Sequence, residues 1–511
     1  MKYSEDLFKL VKSLDKNEKR YFRLFASMQK GEKNYLNLFE IIASQESYDE
    51  AAVKRHFHKE KFINQLTVTK NYLYNLIMRS LSAYHGNNSV DGMLREFINQ
   101  VGILYQKGLY SQAIKMLQRA RRIAVHHEKH IFLLEILRWE ELAARNHETN
   151  YEKLKKLLEQ NVAEQKDIIE KQAKLNRYKR LYTQSYLLER KGSMRDKKDL
   201  AKIAPIAGSP LMRDERNANS LNSKSLYHHI FSNIYYLRGD YEKANQHTRQ
   251  RILLLEKHPE TIREEFDNYI GALSNHVMES RLLRNYTESL SSLSKLKHIL
   301  YHSKVNKTEQ ARLFEYIYII ETDIHIHTGQ FESGISLIPE IEKGLSLYEK
   351  SLKMSQLITL HFNIANIYFG AKQYNRSLSW LNRVINETNN DTRQDVYSFA
   401  RIFNLIIHYE LGNTGVLEYF VKSVLRFLYK RNRLYKFEAL VLNFILKTLP
   451  SASSAKELTP AFRLLREKLI NISRDPLERR ALEYFDFISW LESKIENRPF
   501  ADIVREKVGR R

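Results

Sequence analysis

The chain has 511 residues, no cysteine, 8 prolines and 16 glycines. That length outruns one ordinary core, and the missing cysteine excludes disulfides, thiol nucleophiles and cysteine-based zinc or iron–sulfur sites. Lys and Arg total 83 against 60 Asp and Glu, a formal charge of +23 that either draws polyanions (nucleic acid, ribosomes, acidic proteins, anionic headgroups) or is a lysine-rich solvated surface.

Helix is favoured throughout: no proline precedes Pro205, and Lys, Glu, Leu and Arg fill most intervals. The first segment, "MKYSEDLFKLVKSLDKNEKRYF", has charges every few residues and lacks the apolar centre of a signal peptide. Residues 1–88 read as a small helical domain. Asp15-x-x-Glu18 and Ser47-x-x-Glu50 have the form of capping boxes, and Leu73, Leu76, Ile77, Leu81 and Tyr84 make one apolar stripe. Phe22, Phe25, Leu36, Phe39 and Ile42 supply apolar surface to bury it. "GNNSVDG", 86–92, reads as a linker.

From there a frame recurs. In "LYQKGLYSQAIKMLQRA" Gly108 is followed by Tyr110 and Ala113; in "NIYYLRGDYEKA" Gly239 is followed by Tyr241 and Ala244; in "HIHTGQFESGISLI" Gly329 is followed by Phe331 and Gly334. Looser copies place Leu154, Ser289, Ser377 and Leu417 in the small-residue slot, the last after Gly412. The steps from 113 through 154, 244, 289, 334, 377 and 417 are 41, 90, 45, 45, 43 and 40 residues. A repeat of about 40–45 residues follows, with the 90 predicting an unrecognisable unit near Leu200. The glycine ends one helix with positive φ, the aromatic fills the gap, and the small residue lets the second helix approach closely.

This frame resembles the tetratricopeptide repeat over roughly residues 95–430, although most copies lack the signature tryptophan and closing proline. The resemblance implies an all-α, right-handed solenoid of helical hairpins across 89–448, behind the small N-terminal domain. Such a stack has a concave face lined by the first helix of each hairpin. Residues 449–511 are expected to be capping helices with a polar outer face. One loop, Ala204–Ser225, reads as a surface connection or as a mobile cover for a partner.

No P-loop, dinucleotide, zinc-protease or nucleophile-elbow motif occurs. His126 and His130 lie one turn apart, but Glu128 has the wrong offset and no third ligand is near. Neither enzyme activity, a metal site nor a cofactor is expected.

Two basic segments remain. Between Lys171 and Lys202 eleven Lys or Arg face three acids, a local charge of +8; Tyr178, Tyr182 and Tyr186 recur every fourth residue beside Arg177, Lys179 and Arg180. In "KSVLRFLYKRNRLYK" Lys422, Arg426, Lys430, Arg431, Arg433 and Lys436 stand without an acid, interleaved with Phe427, Tyr429 and Tyr435. Basic side chains neutralise phosphates and aromatic faces stack on bases; equally, the tyrosines can pack between repeats with the bases solvated. The function expected is a non-catalytic cytoplasmic scaffold holding an acidic or nucleic-acid-associated protein segment. The alternative is a nucleic-acid- or ribosome-associated regulator, with residues 1–88 contacting DNA and the array sensing a ligand.

Overall fold

The computed structural model describes residues 3–28, 34–86, 89–190, 200–302, 305–349, 351–387, 393–449 and 455–509. Among them the fold is all-α, with twenty-six α-helices and no strand. No helix is long and apolar enough to cross a membrane among these residues. The chain divides into two compact units, Met1–Gln172 and Ala173–Arg511.

The first unit opens with α1 (Tyr3–Ser13), α2 (Lys16–Ser27), α3 (Asn34–Ser44), α4 (Glu50–His56) and α5 (Leu66–His85). The expected stripe on α5 is buried through Leu73, Leu76 and Ile77 in one cluster with Phe22, Leu38, Phe39 and Ile42. Asp15 and Glu18 make the reciprocal capping box at α2. Ser47 does not cap α4. The cap is Asp49, whose side chain accepts from the Ala52 amide, because Gln45 bonds both backbone groups of Asp49 and fixes the turn two residues later. Ser89 caps α6 (Val90–Gln106), so the second half of the expected linker is helix; Asn87 and Asn88 lie outside the described residues. Then come α7 (Tyr110–His126), α8 (His130–His147) and α9 (Tyr151–Arg190), whose 40 residues extend into the second unit.

The second unit holds α10 (Ala204–Ala207), α11 (Leu221–Arg238), α12 (Tyr241–Glu256), α13 (Pro259–Glu264), α14 (Phe266–Leu282), α15 (Tyr286–His302), α16 (Lys307–Thr328) and α17 (Phe331–Tyr348). It continues through α18 (Met354–Gly370), α19 (Tyr374–Ile385), α20 (Gln394–Glu410), α21 (Leu417–Lys430), α22 (Lys436–Lys447) and α23 (Ala455–Ile472). It ends with α24 (Pro476–Arg479), α25 (Phe487–Glu496) and α26 (Phe500–Gly509).

Hairpins turn where the frame places them. α6 pairs with α7, α11 with α12, α16 with α17 and α20 with α21, about Gly108, Gly239, Gly329 and Gly412, all with φ between 70° and 79°. At α11 the Asp240 amide donates to the Tyr235 carbonyl and that of Gly239 to Tyr236, both at 3.0 Å. This is the bond pattern that closes a helix through a left-handed residue. Ala113, Ala244, Ser289 and Ser377 are fully buried five residues after each left-handed position. Ala244→Leu is accordingly expected to destabilise the protein by roughly 1–3 kcal/mol through overpacking; an unchanged urea midpoint would show that the helix crossing tolerates the extra methylenes.

Two departures matter. The described residues around Leu200 form no hairpin: α9 runs to Arg190, residues 191–199 lie outside the described residues, and Ile203, Ile206, Met212 and Ala218 lie in short turns that share a core with Tyr178, Tyr227 and Ile230. The segment 204–225 is therefore a plug ending in the first turn of α11, because its apolar residues have α9 and α11 to bury against. The second departure is at the C-terminus. Residues 476–511 do not present only a polar face: Arg480, Tyr484, Phe485 and Trp490 contact residues of α11 and α20.

Candidate binding sites

The returning segment is held by named contacts. Buried Arg480 donates Nη2 to the carbonyls of Tyr236 and Leu237, at 2.8 and 2.7 Å, so a guanidinium adds to the capping of the C-terminal carbonyls of α11. Tyr241 Oη donates to Glu483. Tyr484 stacks on Phe399 at 4.3 Å with rings 5° apart and donates to Asp395 at 2.8 Å. Asp395 also takes Nη2 of Arg393 at 2.9 Å. Phe485 sits among Phe369, Phe403 and Phe500. Trp490 Nε1 and Lys494 Nζ donate to the two carboxylate oxygens of Glu410, at 2.7 and 2.6 Å.

Gly329 serves this packing as well as its turn, since a Cβ there would lie 3.0 Å from the Ala501 carbonyl oxygen. A cavity of about 50 Å³ remains between the α16–α17 turn and the segment, lined by His327, Phe331, Asn366, Tyr484 and Asp486 among others.

A second polar group draws on α9, α11 and α12. Tyr182 faces His229 at 4.6 Å and stacks with Tyr186 at 5.9 Å. Arg251, 3 % exposed, donates Nε to Ser225 Oγ at 3.2 Å and has no carboxylate within ion-pair distance among the described residues. Burial pulls its pKa down to about 10, with Tyr182 and Glu265 opposing. Burial, then the charge of Arg251, puts His229 well below the ordinary histidine range, so it is neutral at pH 7. Glu189 keeps an exposed side chain, yet protein crowds it enough that desolvation raises its pKa against the pull of Arg393. The charge of Glu189 adds to the upward pKa shifts of Tyr182, Tyr236 and Tyr316, whose largest cause is burial.

The first basic segment is therefore split by the fold. Tyr178 is core: it is fully buried, donates to the Leu211 carbonyl at 2.9 Å, and burial raises its pKa to about 12. Tyr182 is half-buried against His229, while Tyr186, Arg177, Lys179 and Arg180 are exposed. Lys191, Arg195, Lys197 and Lys198 lie outside the described residues.

The second segment stays together. α21 buries Leu417, Val421, Val424 and Leu428; its opposite side and following turn expose Arg426, Lys430 and Arg431, with Arg433 half-buried. Sequence reasoning missed Arg251, Glu189 and Arg480. The first two are single charges in ordinary helical company, and Arg480 lies more than two hundred residues from the carbonyls it caps. His126 and His130 form no cluster. His130 instead contacts Gln172 at 3.3 Å, and no group of three or more His, Asp or Glu among the described residues is placed to hold a metal. No family model and no curated protein matches the chain.

Proposed function

We propose that the chain is a non-catalytic scaffold, a divergent tetratricopeptide-like array whose inner face holds an extended segment of a partner protein. The observation that carries this reading is the array's own C-terminal segment. Arg480 caps helix carbonyls, Tyr484 engages Asp395 and Phe485 enters an aromatic slot; this supports the reading as a precedent, within the chain itself, for holding polypeptide by backbone, side-chain charge and aromatic shape. Arg251 beside Tyr182 and His229 offers a partner carboxylate the same kind of hold, and the net charge of +23 favours an acidic partner.

Arg251→Met separates recognition from stability. Removing an unpaired buried charge is expected to raise the melting temperature, while acidic segments should bind more weakly. The test is a photoreactive residue placed at Tyr186 in cells, with and without Arg251→Met. Crosslinks to an acidic protein segment that disappear in the Met variant support the reading; crosslinks to nucleic acid, or none, refute it.

A further inference from the structure

The outer side of α21 has a composition that its fold does not use. At 3.6 residues per turn Tyr419, Lys422, Arg426, Tyr429 and Lys430 fall within an arc of about 100° opposite the buried stripe. Tyr419 and Tyr429 are 70 % and 76 % exposed, an unusual disposition for two large rings on one helix face. Lys422 is paired with Glu418 at 2.6 Å. Arg426, Lys430 and Arg431, with Arg401 of the neighbouring α20, have no carboxylate within ion-pair distance among the described residues.

Two of these cations are held close together. Arg401 and Arg431 lie over the ring of Phe427 at 4.3 and 4.1 Å, and Arg401 Nε is buried without a hydrogen-bond partner. The helix C-terminus explains Lys430. It does not explain two guanidiniums gathered on one ring, nor two tyrosines left in water beside them.

We propose that this face binds single-stranded nucleic acid, with Arg401, Arg426, Lys430 and Arg431 on consecutive phosphates and Tyr419 and Tyr429 stacking on unpaired bases. Gathered cations without counter-ions fit a polyanion of either kind, protein or nucleic acid. The exposed rings decide between them, because every base offers a face to stack on while an acidic side chain offers none. The proposal is independent of the inner-face reading: it uses none of the same residues.

The test is anisotropy of a fluorescein-labelled oligouridylate on the full chain, titrated with salt, against a duplex and against polyglutamate. Wild type should prefer the single strand to both. Arg426→Gln with Arg431→Gln should weaken it and reduce the slope of log affinity against log salt by about 1.4, two phosphate contacts at about 0.7 each. Tyr419→Ala with Tyr429→Ala should lose at least about fivefold per ring while leaving the salt slope unchanged. All four residues are exposed, so the melting temperature serves as the folding control. Polyglutamate bound as tightly as the oligonucleotide, equal affinity for duplex, or indifference to both double variants would each overturn the assignment.

Discussion

Removal of residues 476–511 is expected to leave the unit Ala173–Arg511 without a cooperative unfolding transition. Phe485, Phe487, Trp490 and Leu491 are each 4 % exposed or less. Full burial of one such side chain is worth about 1.5–3 kcal/mol, so the four together contribute roughly 6–12 kcal/mol. Native domains are stable by about 5–15 kcal/mol in total. The truncation also uncovers Phe399, Phe403 and Phe437 and leaves Glu410 and Asp395 short of donors. A milder version is Trp490→Ala, expected to cost about 3–5 kcal/mol, with the added loss of the bond to Glu410. Both are measured by calorimetry or urea unfolding followed by tryptophan fluorescence and circular dichroism. A truncated chain that melts as sharply as the full one would show the segment to be detachable from the rest of the unit.

The hairpin frame was legible because its causes are local. A left-handed residue, an aromatic two positions on and a small residue three beyond that are all set within one turn, and glycine marks the first of them. Where glycine is absent the same geometry recurs unmarked: Arg284 and Lys372 have φ of 62° and 60°, each five residues before a buried serine. Glu128 does likewise before Leu133, which gave no signal because leucine is not small. The interval near Leu200 misled for the opposite reason, since a regular count of 45 was carried through a stretch whose described residues form one long helix and short buried turns. Of the two basic segments, Tyr178 belonged to the core and Arg426 to the surface, a difference fixed by neighbours remote in sequence. The returning C-terminus was illegible on the same ground. Its contacts depend on long-range pairing that periodicity does not encode.

Glu279→Gln is expected to stabilise the protein at alkaline pH and to flatten its stability profile. The Glu279 carboxyl is 2 % exposed; its Oε1 accepts from Ser232 at 2.9 Å and Thr248 at 3.1 Å, while Oε2 is buried without a partner. Burial raises its pKa to about 8, and the two hydroxyl bonds, which favour the charged form, only moderate the rise. The folded protein therefore keeps a neutral acid where the unfolded chain ionises near pH 4.5. Below that value the full contribution of the neutral group is present. As pH rises from about 4.5 to about 8 the unfolded state sheds a proton that the folded state retains, and stability falls by up to about 1.4 kcal/mol per pH unit. Above pH 8 the folded state ionises too and the loss levels off, with a charge then enclosed among Ser232, Thr248 and the core. Glutamine keeps the shape and the acceptor without the proton. At pH 5 the variant should match wild type within about 1 kcal/mol, and at pH 8 it should exceed it by on the order of 2–4 kcal/mol. Urea midpoints at the two pH values decide the matter. A variant that differs from wild type by the same amount at both would mean that Glu279 carries its charge in the folded state at both pH values, and that the Ser232–Thr248 pair offsets the cost of its burial.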